Sequence, residues 1–335
     1  IKVNGNSQTA NPYAEIIDAT ATAGQDLNEF ITIEFFSTVG NSQNLEFLAS
    51  DVNGGSDIYL PYMEVTYQIL RKIPAKILYL TNANSSNEGG ATSVPGDDAI
   101  TRMLNADENF EVTAGTIDGA GTITPSDLSP FSLIIIQEDV SSGSNAFKSS
   151  ANGPLAPKNI TVPVIFCKSE AFRVDKATLA TAAGIDGDKS NISVTVPGAN
   201  QSNPMFSGID FSGGDDIRLF ASATNGSGSS IGDTAIKVLN DLEISINAAP
   251  TLATTPNVTD VNSSIVINYI PTGTQLGTDA GDVAAEDMVV FAFGYGAQVK
   301  GDGENISPEA LTIWRNAVYM LSGLTVPTTL VDNPD

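Results

Sequence analysis

The sequence predicts an α/β fold: a mostly parallel sheet with helices on both faces, an N-terminal all-β module before it, and a β-rich insertion within it. Three observations carry this reading. The runs KILYLTNA (76–83), FSLIIIQED (131–139) and VPVIFCKS (162–169) are apolar without alternation, as strands buried on both faces must be. Helical patterns fall between and after such runs, which is how a parallel sheet connects its strands. The first 75 residues carry strand and turn patterns with no helix pattern among them.

Taken in order, residues 1–75 open with a polar, irregular stretch of about 27 residues. Strand-like segments follow at FITIEFFST (30–38), NLEFLAS (44–50) and IYLPYMEVTYQIL (58–70), separated by the turn material GNSQN and DVNGGSD. In the third, Met63, Val65, Tyr67 and Ile69 alternate with polar positions, the period of a half-buried strand. The α/β domain then spans 76–325. After KILYLTNA, a helix over 97–107 opens on Asp97 and Asp98, whose charges suit its N-terminal dipole. FEVTAGTI (110–117) is a strand, and a helix closed by Gly184 is expected over 169–184.

From about 185 to 262 the alternation breaks into a β-rich elaboration, with ISVTVP, DIRLFAS and a hairpin through AIKVLNDLEISINAA. The α/β core resumes with SIVINYIP (264–271) and DMVVFAFGYGA (287–297). The last helix, over 307–323, is the best defined: Ser307 can cap it, Pro308 fits its first turn, and Gly323 ends it. Leu311, Trp314, Ala317, Val318 and Leu321 form its apolar face. Residues 326–335 are a C-terminal tail.

The net charge of −24 comes from scarce cations: 39 Asp and Glu are ordinary for 335 residues, whereas 15 Lys and Arg are few. A chain so poor in cations cannot neutralise a phosphate backbone, so no nucleic acid is expected as a partner. No apolar run approaches the ~18–20 residues that span a bilayer, so no membrane span is expected. The start at Ile1 rather than Met reads as a mature form whose leader was removed, and Ser, Thr, Asn and Gly dominate the polar residues. Both point to an extracellular or cell-surface protein exported as a precursor. Eight sequons, at Asn84, Asn159, Asn191, Asn200, Asn225, Asn257, Asn262 and Asn305, are candidate glycosylation sites.

The chain has no histidine. That excludes Ser-His-Asp and Cys-His-Glu triads, His-ligated zinc and imidazole acid–base chemistry. Carboxylates, Lys, Tyr or an oxygen-held metal would have to carry any reaction. Glu138, Asp139 and Glu170 fall near the carboxyl edge of the expected sheet, where open α/β sheets bind ligands. Acids in such loops are more often simply solvated. For metal, GIDGDKSN offers Asp186, Asp188 and Ser190 at alternate positions, as calcium loops do, without the glycine and distal Glu of an EF-hand. Calcium is therefore the candidate ion. DVNGGSD, GTDAGD and KGDGEN are further acidic glycine loops.

KILYLTNA, TPSDLSPFSLIIIQED (124–139), VPVIFCKSEAF, NPMFSGID (203–210), DMVVFAFGYGA and the closing helix occur in an order that resembles the class I glutamine amidotransferase-like fold, a flavodoxin-like α/β domain. The resemblance is to its divergent form in secreted bacterial proteins and covers about three quarters of the chain. It implies that VPVIFCKSEAF occupies the strand–nucleophile–helix elbow. The family sets its cysteine among small residues, whereas Cys167 lies between Phe166 and Lys168, one residue early for the family's register. Gly294 and Tyr295 stand where the family's histidine is expected. Cys167, Lys168, Gly294 and Tyr295 thus mark a vestigial elbow; Lys168 can lower the thiol pKa but cannot replace the missing base.

No enzymatic activity is expected. The leading expectation is a non-catalytic extracellular structural subunit that assembles with itself into a filament, tube, sheath or surface lattice through its N-terminal β-region. The alternatives are a secreted module that binds carbohydrate or another polymer, a surface glycan for instance, and a histidine-free hydrolase that uses carboxylates.

Overall fold

Four strands with apolar sequences and a more exposed edge strand form the parallel part of the main sheet. The computed structural model describes residues 2–3, 6–7, 45–46, 74–81, 98–117, 123–173, 175–179, 186–190, 193–221, 235–240, 251–254, 264–276, 281–292, 298 and 305–331. The chain divides into two compact units, Ile1–Leu70 and Arg71–Asp335. In the first, β1 (Lys2–Val3) pairs antiparallel with β2 (Asn6–Ser7) and β3 (Leu45–Glu46). The expected strands at 30–38 and 58–70 lie outside the described residues.

In the second unit, β4 (Ala75–Leu80), β5 (Phe110–Gly115), β6 (Leu133–Ile136), β7 (Val164–Phe166) and β14 (Met288–Phe291) run mutually parallel. Their spatial order is β5-β4-β6-β7-β14, which is 2-1-3-4-5 when the five are counted along the chain. That is one of the two common orders of doubly wound α/β sheets. The four residues of β6, LIII, are all buried, as a strand covered on both faces requires.

Beyond β14 the sheet turns antiparallel. The segment between β8 (Asp186–Ser190) and β13 (Ser264–Ile270) supplies β9 (Ser193–Thr195), β10 (Asp216–Arg218), β11 (Ala235–Asn240) and β12 (Thr251–Thr254). SIVINYIP was expected to resume the α/β core, and as β13 it does join the sheet beside β14. It runs antiparallel to β14, and residues 271–287 hold no described helix to return the chain for a parallel pairing. The expected hairpin after β11 is described only in its first arm, and that arm pairs with β8 and β13.

Alternation along the strands sorts the core into two faces. Ile77, Tyr79, Ile135, Ile165 and Val289 point to one, and Leu78, Leu80, Ile136, Phe166 and Val290 to the other. Helices α1 (Ala99–Asn105) and α3 (Pro308–Leu321) cover the first. Asp98 caps α1: its carboxylate accepts from the Thr101 amide (2.9 Å) and the Thr101 hydroxyl accepts from the Asp98 amide (3.0 Å). In α3 the Ser307 hydroxyl accepts from the Ala310 amide at 3.0 Å, as its position before Pro308 implies. Gly323 closes α3 with φ +68°, while the amides of Gly323 and Leu324 donate to Met320 and Tyr319 carbonyls.

The second face has less helix. It carries α2 (Pro125–Leu128), 3-10 turns at Asn145–Phe147, Ser149–Ala151 and Ser169–Ala171, and irregular chain. The helix expected over 169–184 is not seen in its described residues, 169–173 and 175–179. After the turn at Ser169–Ala171, the Ala177 amide returns to the Ala171 carbonyl and Ser149 donates to Lys176, so tertiary bonds replace the helical ladder. Gly184 lies outside the described residues. Past α3 the chain doubles back: the Val331 amide donates to the Thr312 hydroxyl at 2.8 Å, and Arg315 donates to the Thr329 carbonyl.

Candidate functional site

Parallel strands all deliver their next residue to the same edge of the sheet. Here Thr81 follows β4, Gln137, Glu138 and Asp139 follow β6, and Cys167, Lys168 and Ser169 follow β7. Asp98, at the start of α1, joins them. Strands β4 and β6 are neighbours whose connections leave toward opposite faces: α1 follows β4 on one, and the segment through Phe147, Leu155 and Ile160 follows β6 on the other. In open α/β sheets such a switch point is where ligands bind.

What occupies this edge is a buried polar network. The Tyr79 hydroxyl donates to the Asp98 carboxylate at 2.8 Å and accepts from the Gln137 side-chain amide at 2.8 Å. The Gln137 carbonyl oxygen accepts from the Glu138 amide at 2.7 Å. The Thr81 hydroxyl donates to Asp139 at 2.7 Å. Glu138 accepts from the Gln298 amide at 2.5 Å, and the Gln298 side chain accepts from the Trp314 indole at 2.9 Å. The Lys168 ammonium donates to the Glu138 backbone carbonyl at 2.7 Å. The network thus joins three parallel strands, α1 and α3.

Burial sets its electrostatics. Glu138 and Asp139 are each only 1 % exposed, so both are core acids, and the solvated-loop reading fails for them; Glu170 alone is half-buried. Both core acids lie in the segment after β6, where each carboxylate accepts from a buried donor. Burial pushes the Asp98 carboxyl up to about 6; bonds from the Thr101 amide and Tyr79 hydroxyl oppose the rise, and the Asp139 carboxylate adds to it. Burial, with the Asp98 charge second, raises the Tyr79 phenol well above its ordinary range.

Cys167 is 1 % exposed and packs beside Ile165 on the helix-covered face. Burial pushes its thiol well up, and the neighbouring Glu138 and Asp139 charges push it further. Lys168 was expected to be able to lower it. The shift runs the other way, because burial disfavours the thiolate most and the Glu138 and Asp139 charges add to it; the Lys168 ammonium donates to the Glu138 carbonyl. Gly294 and Tyr295 lie outside the described residues.

Asp186, Asp188 and Ser190 fall on strand β8, where a loop was expected. Among the described residues, no group of three or more Cys, Asp or Glu is placed to hold a metal ion. Of the sequons, Asn159 and Asn200 are half-buried, Asn305 is buried, and Asn84, Asn191, Asn225, Asn257 and Asn262 lie outside the described residues. Burial disfavours a glycan on Asn305. Among the described residues no helix is long and apolar enough to cross a membrane.

Tyr79, Thr81, Gln137, Gln298 and Trp314 were not singled out as site residues from the sequence. The first three had a usable signal, since they end or immediately follow parallel strands. Gln298 and Trp314 had none, because their meeting depends on how α3 lies on the sheet. No protein-family model matches the chain, and no curated protein shows significant sequence similarity to it.

Proposed function

We propose that the chain is a non-catalytic extracellular structural subunit, built on a divergent amidotransferase-like α/β domain, that assembles with copies of itself. The observation that carries the reading is the closed carboxyl edge. Among the described residues, the polar groups there are engaged with one another: Asp98 with Tyr79, Asp139 with Thr81, Glu138 with Gln298, and Lys168 with the Glu138 carbonyl. The one thiol, at Cys167, is held in its protonated form. Such an edge stiffens the domain, and its outer strands and surfaces become the working parts.

Strand β5 is one such part. Among the described strands it forms an end of the sheet, pairs with β4, and has exposed or half-buried residues at all positions after Phe110. An edge strand of this kind can accept an extended segment from another copy, and the N-terminal β-region is the donor proposed here. With a net charge of −24, contact between copies calls for a bridging cation, for which calcium is the candidate. The test is electron microscopy and sedimentation of the purified chain over a wide concentration range, with and without calcium. Ordered polymers are expected, unchanged in Cys167→Ala. A strictly monomeric protein under all these conditions sinks the proposal.

A further inference from the structure

Asp98 stands apart among the described acids in how it is held. Its carboxylate is 1 % exposed, and its bonded donors are neutral: the Tyr79 hydroxyl and the Thr101 amide. The groups that face it come from three elements. Strand β4 brings Tyr79, the end of β6 brings Asp139 and the neutral Gln137, and α1 brings the Ile100 and Thr101 amides. The buried cation of this edge, Lys168 after β7, donates to the Glu138 carbonyl. Asp98 is also the residue that starts α1, through its reciprocal cap with Thr101. One carboxyl therefore joins the helix cap to the switch point of the sheet.

We propose that the Asp98–Tyr79–Gln137 chain is a proton-sensitive latch. With a proton on Asp98 it holds the start of α1 firmly on the sheet; with Asp98 ionised, a buried charge facing Asp139 loosens that end. The direction follows from linkage. The folded-state pKa of about 6 lies above the ordinary 3.8, so the folded chain binds the extra proton between those limits. Stability from this group is complete below about pH 4, declines as pH rises to about 6, and is absent above it. This inference concerns regulation of the fold and stands whether or not the chain polymerises.

The test follows thermal and urea unfolding of the full chain between pH 4 and pH 7, for the wild type and Asp98→Asn. Asn keeps an acceptor for the Thr101 amide and carries no charge. In the wild type the folding equilibrium should weaken by roughly 50-fold more across this window than in Asp98→Asn. Equal pH slopes in the two proteins overturn the proposal, since repulsion among the remaining acids is common to both. Carbon NMR of the Asp98 carboxyl in the wild type needs no variant: titration near pH 6 supports the latch, and titration near pH 4 overturns it. Amide exchange adds the local readout. Opening at residues 99–105 should increase above pH 6 relative to α3, and an unchanged ratio counts against the proposal.

Discussion

The two faces of the central sheet are covered by different means. On one, α1 and α3 satisfy most of their own amides and present side chains: Trp314 meets Phe291 edge-on at 4.8 Å, and Tyr319 meets Phe110 at 5.1 Å. On the other, Phe147, Phe166 and Phe172 supply a comparable aromatic core, at 5.5 and 5.1 Å between ring centres. There, much of the backbone must find partners in distant segments. Leu155 donates to Ala146, Gly153 to Lys148, Ser149 to Lys176 and Ala285 to Pro157. Equal burial is thus reached with a tolerant backbone on one face and a backbone of specific geometry on the other. The first should fail through lost volume, the second through lost conformation.

The largest expected effect tests the helical face. Trp314→Ala should cost about 4 kcal/mol in urea unfolding, because it empties a fully buried site and strips the Gln298 side chain of its indole donor. A loss below about 1 kcal/mol would mean that this face owes little to side-chain volume. Next comes a matched pair of single-methyl changes. A Cβ on Gly153 would stand 2.2 Å from the Ala146 carbonyl oxygen, so Gly153→Ala should destabilise by about 3 kcal/mol. Ala317→Gly, which removes a buried methyl from α3, should cost about 2 kcal/mol. If adding the methyl is the milder of the two, the contrast between the faces is wrong.

Smaller effects sharpen the same contrast. Ser307→Ala removes the α3 cap and should cost about 1 kcal/mol, visible as faster amide exchange confined to the first turn. On the irregular face, Thr178 holds φ +60°, a left-handed conformation that a β-branched residue adopts at a cost. Thr178→Asn should stabilise by about 0.5 kcal/mol, because Asn tolerates that region. A lower melting temperature in this variant would show that the Thr side chain contributes more than its backbone strain costs.

Regular elements were the legible ones. Ser307, Pro308 and Gly323 mark α3 closely, since capping is local chemistry that does not depend on the rest of the chain. The parallel strands were legible from evenly apolar runs such as LIII. The described residues of 169–179 misled because a helix-compatible composition was overruled by bonds to Ser149 and within the turn. The direction of β13 was hidden for a similar reason: its sequence fits a strand of either polarity, and the connection to β14 decides. Within the candidate site, proximity to the carboxyl edge could be read for Glu138 and Asp139, but their burial could not. A carboxylate's sequence neighbours do not reveal whether a Thr81 hydroxyl or a Gln298 amide will face it.

Composition by itself determined which chemistry is closed to this chain, because no fold can supply the histidine it lacks or cations beyond its 15 Lys and Arg. Local pattern determined where the principal strands and the capped helices run, since propensity and capping act over a few residues. Only the tertiary structure decided the strand order, the irregular cover of one face and the state of Cys167, Asp98 and their neighbours. Those depend on dielectric surroundings and on donors brought from residues as far apart as 138 and 298, distances over which sequence carries no local signal.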